Sequence, residues 1–459
     1  MSANRPVTVR FAPSPTGKIH IGNVRTATLN WLFARAHSGT FILRLDDTDR
    51  ERSTEAFAEG IRRDVTWLGL NWQREERQSA RFGRYAEVAE KLKASGRLYR
   101  CYETEDELEK RRQRLRLRGL PPVYDRAALA LTDAEHKAFA DDGIKPYWRF
   151  LTKPGAGMTQ GTATPDPVLW PDAIRGDQTV ELSAVSDPVL VRADGTPTYT
   201  FASVVDDADM GVTHIIRGED HVTNTGVQIR LFEAIGAIVP TFAHHALLVD
   251  AEGKPLSKRL DALSVEAFRT DGFEPKAVVA LAALIGTQHA VTPEIDADVL
   301  ARRVTLDSIT RAPARFGLED LQKLNAETLA LLPFEAVESR IKALGIAPDA
   351  QFWSAVRSNI SKLDDVKTWW EVVSGKAPRL DRPTDEQQFL AQAAALLPAE
   401  PFTEATWGAW TDALKAKTGA KGKALFMPLR KALTGRETGP EMKVVLSLMA
   451  RKTVIDRLA

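Results

Sequence analysis

The feature that most constrains the fold is a strand–loop–helix–strand pattern at the start of the chain. Residues 7–12 have the β-branched and aromatic composition of a short strand. A loop rich in Pro and Gly follows, and apolar residues at helical spacing begin at Asn23. Residues 41–45 return as a strand. Two strands joined by one helix over about 40 residues form a parallel βαβ unit, so we predict an α/β fold.

Polar residues follow both strands of this unit. The Pro-Ser-Pro-Thr-Gly loop at 13–17 follows the first strand, and Asp46, Asp47 and Asp49 follow the second. Ligands of open parallel sheets bind at the carboxyl ends of the strands, where both groups fall. Residues 20–23 read His-Ile-Gly-Asn at the start of the helix. A helix N-terminus offers unpaired N–H groups and a positive dipole end that suit phosphate.

Composition is that of an ordinary soluble globular protein. The chain has 459 residues, 44% of them hydrophobic and 27% charged, and this length predicts about three domains. The longest apolar stretch, 277–286, is shorter than the roughly 20 residues that a spanning helix needs. The amino terminus lacks the apolar region of a secretory signal. One cysteine, Cys101, permits no intramolecular disulfide and no multi-cysteine zinc site. We therefore expect a cytoplasmic protein.

The sequence pattern changes twice along the chain. Residues 105–186 start with an Arg-rich helix and continue as short mixed segments, which indicates an insertion between two halves of a sheet. The α/β pattern resumes with 189–192, 199–205 and 213–217, then an amphipathic helix and another strand. After about Pro313 strand signals vanish and helical segments continue to the end. We predict an interrupted α/β domain followed by an all-helical domain.

The net charge of +1 hides two basic regions. Six of the nine residues 110–118 are basic and none is acidic. Residues 401–459 carry eleven Lys and Arg against five Asp and Glu. Such regions suit a phosphate backbone, and the alternative for each is a solvated helix face.

A second loop, 254–259, reads Lys-Pro-Leu-Ser-Lys-Arg and follows a strand. Lysines there could bring positive charge to a phosphoryl-transfer transition state, whereas alone the segment would be a surface turn. In order with 13–23, 44–49 and 216–221, this loop resembles class I aminoacyl-tRNA synthetases, and more narrowly bacterial glutamyl-tRNA synthetases. The resemblance covers nearly the whole chain and includes Leu-Phe-Met-Pro-Leu-Arg at 425–430.

The resemblance implies a fold and a set of domains. The fold is a Rossmann-like parallel-sheet catalytic domain with an inserted acceptor-binding subdomain, followed by an all-helical anticodon-binding domain. The predicted boundaries are 1–104 and 187–250 for the two catalytic halves, 105–186 for the insertion, 251–315 for the lysine loop and stem-contact region, and 316–459 for the helical domain.

The resemblance also implies a reaction. ATP adenylates glutamate, with magnesium, and the glutamyl group passes to the terminal ribose of a tRNA. The carboxylate of the substrate attacks the α-phosphorus, so catalysis is positioning and electrostatic stabilisation. His20 and Lys258 are the implied catalytic residues. The implied ATP-binding residues are Pro13, Thr16, Gly17, His20, Gly22, Asn23, Leu256, Ser257, Lys258 and Arg259. A monomer that charges tRNA-Glu is expected, with tRNA-Gln left open.

A glutamate pocket needs at least two cations, one anion and hydroxyl donors, because glutamate has two carboxylates and one ammonium. By resemblance, Arg10 and Arg217 bind the carboxylates and Asp46 faces the ammonium. The implied pocket residues are Arg10, Ala12, Ser14, Asp46, Tyr199, Ser203, Arg217 and His221. The alternative for each arginine is a structural ion pair with a nearby acid.

The chain departs from the family pattern at three places. Asp46 stands where most bacterial members have Glu, which keeps the charge and loses one methylene of reach. Pro255 replaces the first lysine of the lysine loop, and Lys254 lies one residue earlier. Some relatives bind zinc through a Cys-x-Cys pair where this chain has Cys101-Tyr-Glu103. With one cysteine, we expect no zinc.

Three alternatives are weighed against this interpretation. Glutaminyl-tRNA synthetase carries a neutral residue in place of Arg217 and a β-barrel anticodon domain. A truncated relative that glutamylates a modified tRNA base lacks a counterpart of 316–459. A catalytically silent tRNA-binding paralogue is opposed by His20 and Lys258, while Pro255 keeps it open.

Overall fold

The structure, a computed structural model, describes residues 5–153, 165–254, 256, 262–378 and 384–459. The chain divides into two compact units. The first contains residues 1–267, 279–291 and 296–317, and the second contains 268–278, 292–295 and 318–459. None of the helices in the described ranges is long and apolar enough to cross a membrane.

The strands and helices are numbered in chain order. The strands are β1 (Thr8–Phe11), β2 (Thr40–Leu45), β3 (Arg74–Arg77), β4 (Leu98–Cys101), β5 (Tyr147–Phe150), β6 (Pro167–Asp172), β7 (Gly176–Glu181), β8 (Val189–Val191), β9 (His214–Gly218), β10 (Thr241–His245), β11 (Leu248–Val249) and β12 (Ala314–Arg315). The helices are α1 (Ile21–Ala36), α2 (Glu55–Trp67), α3 (Phe82–Ala94), α4 (Glu105–Leu117), α5 (Asp133–Asp141), α6 (Tyr199–Asp209), α7 (Val222–Ala234), α8 (Val265–Thr270), α9 (Pro275–Leu284), α10 (Ala297–Arg303), α11 (Leu318–Leu331), α12 (Glu338–Ala343), α13 (Ala350–Val356), α14 (Val366–Val373), α15 (Thr384–Ala395), α16 (Glu404–Thr418), α17 (Lys423–Thr434), α18 (Met442–Ser447) and α19 (Arg451–Leu458).

Two sheets of mainly parallel strands meet side by side in the first unit. Strands β1, β2 and β3 pair in parallel, and β9, β10 and β6 do so in the second sheet, with β7 antiparallel at its edge. The backbone N–H of Thr213 donates to the carbonyl oxygen of Thr8 at 2.9 Å, which brings β9 beside β1. Side by side, the two sheets give the strand order β3-β2-β1-β9-β10-β6. The side on which successive strands are added changes between β1 and β9, as in Rossmann-like folds. The predicted Rossmann-like sheet is confirmed.

Buried apolar side chains explain why the segments around this junction fold as they do. Strands β1 and β2 are buried along most of their length, as expected for parallel strands covered on both faces. The segment 199–205 lies in helix α6, with Phe201, Val204 and Val205 in the core. The predicted strand and helix of the opening βαβ unit are present as β1, α1 and β2.

A separate antiparallel sheet has the strand order β4-β5-β8, and of its three strands only β5 lies within the predicted insertion, 105–186. Its small core includes Tyr99, Cys101, Leu108 and Tyr124. Strands β6 and β7 fall within the predicted insertion, 105–186, but belong to the sheet of β9 and β10. Buried and exposed residues alternate along β6, so one face of the β6–β7 hairpin packs inward. This alternation does not show which sheet the hairpin joins, so the sequence could not predict it.

The second unit is helical, as predicted. Within its described residues no strand occurs after β12. Trp353 and Trp410 are fully buried in its core. Their indole N–H groups donate to the carbonyl oxygens of Leu332 and Ala393 at 2.8 and 2.9 Å. Each large ring therefore anchors helices without leaving a buried donor unsatisfied.

Candidate active site

His20 caps the N-terminus of α1. Its Nδ1 accepts a hydrogen bond from the N–H of Gly22 at 3.1 Å, and Oδ1 of Asn23 accepts one from the N–H of His20 at 3.2 Å. Because Nδ1 accepts, the neutral ring carries its proton on Nε2. Burial lowers the pKa of His20, which favours this neutral form. A directed Nε2–H donor therefore lies at the positive end of the α1 dipole.

Gly22 leaves no spare room beside the cap. A Cβ atom there would lie 3.0 Å from Cε1 and 3.1 Å from Nδ1 of His20. Contacts this short would force the imidazole to shift. The position of the His20 ring therefore depends on glycine at position 22.

The chain that follows the lysine loop is fixed to both sides of His20. The N–H of Val265 donates to the carbonyl oxygen of Ile19 at 2.9 Å, and the N–H of Ile21 donates to that of Leu263 at 3.0 Å. The predicted residues Ser257, Lys258 and Arg259, and Pro255, lie outside the described residues. Leu256 is half-buried. One end of the loop is thus anchored next to the start of α1.

Lys254 lies at the other end of the loop and is exposed. Its N–H donates to Oδ1 of Asp250 at 2.7 Å, and the N–H of Asp250 donates back to its carbonyl oxygen at 2.8 Å. These two hydrogen bonds close a turn after β11.

Arg10 and Asp46 belong to one buried charge network. Arg10 donates to both oxygens of Asp207, with Nε to Oδ1 at 3.0 Å and Nη2 to Oδ2 at 3.2 Å. Arg44 bridges the network, with Nη1 at 2.7 Å from Oδ1 of Asp207 and Nε at 2.7 Å from Oδ1 of Asp46. All four side chains are buried. For Arg10, the structure therefore shows the ion pair with an acid that was the alternative to substrate binding.

The two acids of this network differ in ionisation. Burial raises the pKa of Asp46 to about 6, although the neighbouring Arg44 acts in the opposite direction. Burial also opposes ionisation of Asp207, but Arg10 and Arg44 together lower its pKa. Two arginines hold Asp207 as a carboxylate, so Asp46 is the acid here that can titrate near neutral pH.

Arg217, at the carboxyl end of β9, has a different environment. Its Nε donates to Nε2 of His244 at 3.2 Å, and its Nη2 donates to Oγ1 of Thr225 and Oε1 of Gln228, each at 2.7 Å. Nη1 is buried and has no hydrogen-bond partner among the described residues. No described carboxylate forms an ion pair with Arg217, and burial lowers its pKa. An anionic ligand would accept a hydrogen bond from Nη1 and compensate the charge of this buried guanidinium.

The remaining predicted pocket residues differ in exposure. Tyr199 is 38% exposed and its ring centroid lies 6.1 Å from that of His221. Both Arg10 and Tyr199 are close enough to Arg217 to influence its ionisation. Ser203 is fully buried, and its Oγ has no partner in the described part of the chain. Tyr199 and His221 therefore lie near Arg217 at the carboxyl end of β9, whereas no described contact joins Ser203 to it.

The first loop lies against the acidic cluster. The N–H of Asp46 donates to the carbonyl oxygen of Pro13 at 3.0 Å, which holds the loop over the end of β2. Ala12 and Gly17 are half-buried, whereas Ser14 and Thr16 are exposed.

Sequence reasoning missed the side chains that surround Arg217. His244 is fully buried, and its Nδ1 lies 2.5 Å from Oδ2 of Asp172. The only local signal is the polar His-His pair at the end of the strand that forms β10, because the partners lie elsewhere in the chain.

The inserted part holds a basic cavity of about 710 Å³ beside α4. It is lined by Leu108, Arg111, Arg112, Arg114, Leu115, Arg118, Leu120, Pro121, Pro122, Val123, Tyr124, Asp125, Ala127, Arg149, Ser183, Ala184 and Ser186. Arg111 pairs with Asp125 at 3.2 Å and Arg112 with Glu109 at 2.8 Å. The arginines of α4 that line the cavity thus include two that pair with neighbouring acids.

The segment at Cys101 is held by hydroxyl groups. The hydroxyls of Tyr124 and Tyr147 donate to the two carboxylate oxygens of Glu103, at 2.6 and 3.2 Å. Burial raises the pKa of the Cys101 thiol to about 12. No group of three or more His, Cys, Asp or Glu side chains that could hold a metal occurs among the described residues. Independence from zinc stays a prediction.

Comparison with known proteins identifies the class. Residues 6–323 match the family described as "tRNA synthetases class I (E and Q), catalytic domain", and 351–459 match "Anticodon binding domain". The chain belongs to this family of class I tRNA synthetases. It is 52% identical over 453 residues to "Glutamate--tRNA ligase 2" of Methylorubrum populi, covering 98% of each chain. It is 53% identical over 454 residues to "Glutamate--tRNA ligase 1" of Brucella canis, covering 98% of this chain and 99% of that one.

Solved structures agree with the described fold. The crystal structure of a glutamate tRNA ligase from Elizabethkingia meningosepticum, in complex with its amino acid, is 26% identical with a TM-score of 0.84. That match covers 99% of this chain and 98% of the other. A glutamate-tRNA synthetase from Elizabethkingia anophelis has a TM-score of 0.83 at 26% identity, covering 99% of each chain.

We expect Gly22→Ala to slow amino-acid activation on the order of ten-fold, because the His20 ring must move by a few tenths of an ångström, whereas a displacement of about 1 Å at a catalytic group can cost about 100-fold. The added Cβ would push the His20 ring from its cap. ATP–pyrophosphate exchange would measure the effect. Gly83→Ala, where a Cβ would meet nothing within 4 Å, is the matched control. Equal exchange rates in the parent and both variants would contradict the assignment.

Proposed function

We propose that this chain attaches glutamate to the 3′ end of a tRNA, using ATP and a glutamyl-adenylate intermediate. The observation that carries the proposal is Arg217, a buried guanidinium with a free Nη1 and no acidic partner in the described structure. It lies at the end of β9, and β9 lies beside β1, where the strand order reverses. Two relatives of nearly equal length are named glutamate--tRNA ligases, which supports the same substrate.

ATP binds at the start of α1 in this proposal. The positive dipole end of the helix and the Nε2–H of His20 meet its phosphates. Lys258 stabilises the charge that develops on the α-phosphate as pyrophosphate leaves. Mg²⁺ would be held chiefly by the ATP phosphates and would supply further positive charge there. The other proposed ATP contacts are Pro13, Thr16, Gly17, Gly22, Asn23, Leu256, Ser257 and Arg259.

Glutamate binds across the carboxyl ends of β1, β2 and β9. Nη1 of Arg217 receives the side-chain carboxylate, and Asp46 faces the ammonium. Arg10 lies next to the α-carboxylate, with its own charge balanced by Asp207. The remaining proposed contacts are Ala12, Ser14, Tyr199, Ser203 and His221. The α-carboxylate then attacks the α-phosphorus of ATP without any protein nucleophile.

Glutamine is the nearest competing substrate, since the family description covers both E and Q enzymes. An unpaired buried cation favours a carboxylate over a neutral amide of the same shape, because the amide leaves the charge uncompensated. Arg217 therefore favours glutamate.

The tRNA contacts both units. We assign acceptor-stem binding to the insertion, predicted as 105–186, where α4 presents arginines to a concave surface. Anticodon binding belongs to the helical domain, predicted as 316–459, since residues 351–459 match an anticodon-binding family. The lysine loop and stem-contact region, predicted as 251–315, lies between them in sequence. We further propose a cytoplasmic monomer.

The test of this function is charging of purified tRNA-Glu and tRNA-Gln with glutamate and with glutamine. We expect glutamate to be attached to tRNA-Glu and glutamine to neither tRNA. ATP–pyrophosphate exchange, measured with tRNA present, separates an enzyme from a silent tRNA-binding paralogue. Efficient charging with glutamine would favour the glutaminyl alternative, and absence of both activities would favour the silent one.

Replacing Arg217 with alanine should reduce selectivity for glutamate. Breaking a buried charge pair costs about 3–5 kcal/mol, so kcat/KM for glutamate should fall by 100-fold or more. The ratio of kcat/KM for glutamate to that for glutamine should shrink with it, while KM for ATP should change little. Arg84→Ala, which removes an exposed ion pair with Asp209, is the control. An unchanged ratio would mean that Arg217 is structural.

The pKa of Asp46 predicts a pH dependence. As the pH falls through about 6, Asp46 becomes protonated and loses its attraction for the substrate ammonium. We expect kcat/KM for glutamate, which reports the free enzyme, to fall below that pH. Asp46→Asn should have low efficiency at all pH values and should lose this step. A step that persists in Asp46→Asn would assign the titration to another group.

A further inference from the structure

Arg217 is held by a neutral histidine that is itself held by an acid. Nε2 of His244 accepts the hydrogen bond from Nε of Arg217 at 3.2 Å. On the other side of the ring, Nδ1 of His244 lies 2.5 Å from Oδ2 of Asp172. Both Asp172 and His244 have fully buried side chains. The three side chains form a chain from the β6–β7 turn to the proposed glutamate pocket.

Asp172 is fixed before it meets the histidine. Its Oδ1 accepts hydrogen bonds from the backbone N–H groups of Ile174, Arg175 and His244 at 3.0, 2.9 and 3.1 Å. These bonds close the turn between β6 and β7 and tie it to β10. Burial opposes ionisation of Asp172, but its hydrogen bonds lower its pKa, so it remains a carboxylate. Only its Oδ2 is left for the ring of His244.

This geometry determines the tautomer of His244. Burial lowers the pKa of His244, which keeps the ring neutral. A neutral ring facing a carboxylate places its proton on Nδ1, so Nε2 must accept. Nε2 then faces the Nε–H of Arg217, which can only donate. The Thr225 hydroxyl lies 3.0 Å from Nε2, and its single proton is shared between this nitrogen and the carbonyl oxygen of His221 at 3.1 Å. With the proton on Nε2, two donors would face each other.

The arrangement orients Arg217 without neutralising it. Nε and both hydrogens of Nη2 are used by His244, Thr225 and Gln228, so Nη1 is the part left for a ligand. A carboxylate in direct contact with Arg217 would orient it equally well, but would compete with an anionic substrate. The neutral ring between Asp172 and Arg217 avoids that competition.

We propose that Asp172 and His244 are positioning residues that aim Nη1 of Arg217 at the side-chain carboxylate of glutamate and thereby set its selectivity over glutamine. The proposal rests on the proposed function, because it assigns the ligand of Arg217. The hairpin of β6 and β7 then contributes to substrate selection although neither residue touches the substrate.

Two substitutions of His244 separate its two hydrogen bonds. His244→Asn retains a donor toward Asp172 and loses the acceptor for Arg217. His244→Gln places an amide oxygen near the position of Nε2 and loses the bond to Asp172. We expect His244→Asn to raise KM for glutamate about ten- to 100-fold, the range for a lost hydrogen bond to a charged group. His244→Gln should recover part of that loss.

Asp172→Asn tests the tautomer while preserving the turn. Its amide oxygen can still accept the three backbone N–H groups, but its amide nitrogen donates to Nδ1 of His244. The ring proton must then move to Nε2, where it opposes the N–H of Arg217. We expect KM for glutamate to rise and the glutamate-to-glutamine ratio of kcat/KM to fall, with KM for ATP and kcat changing much less.

His214→Asn is the matched control, because His214 begins β9, at the end opposite Arg217. Thermal unfolding of every variant shows whether each one folds. An unchanged selectivity ratio in folded Asp172→Asn and His244→Asn would overturn the proposal, and so would equal rises of KM for glutamate and ATP. If the parent does not charge tRNA with glutamate, the proposed function itself fails. If the parent is active and the variants have the same selectivity as the parent, only the role of Asp172 and His244 fails.

Discussion

The candidate site depends on the junction of β1 with β9. The backbone bond between Thr213 and Thr8 places the carboxyl ends of these two strands side by side. Arg10 extends from β1 and Arg217 from β9, so the reversal of strand order brings both arginines to the same edge of the sheet. Helix α1 begins next to the same edge with the His20 cap. A helix N-terminus capped by His20 and two buried arginines thus come together through sheet topology.

Sequence reasoning predicted the elements better than their partners. The βαβ unit and the start of α1 follow from local periodicity and turn residues, which act over a few positions. The pairing of Asp172 with His244 joins residues 72 positions apart, and no local pattern encodes it. Similarly, sequence alone treats Arg10 and Arg217 alike. The structure separates them, since Arg10 is paired with Asp207 and Arg217 has no acid partner among the described residues.

The cost of burying charge explains why these two arginines must differ. An arginine without an acidic partner is costly in a buried site, because its charge is not compensated. Asp207 receives both Arg10 and Arg44 and stays ionised because of them. Arg217 instead donates to three neutral acceptors through Nε and Nη2. These acceptors do not compensate its positive charge. The uncompensated charge of Arg217 destabilises the free protein, and a bound anion would remove that destabilisation.

In the proposed pocket, the surroundings of Arg217 account for a preference for glutamate. Arg10 and Arg44 contact Asp46 and Asp207 directly, and Asp206 lies 3.9 Å from Arg44, whereas no described carboxylate contacts Arg217. The side-chain carboxylate of glutamate would supply that direct contact. Glutamine is neutral overall and would leave Arg217 buried beside an amide. Specificity is the difference between the binding free energies of glutamate and glutamine. In this proposal it therefore comes both from attraction of Arg217 for glutamate and from the destabilisation of the complex with glutamine.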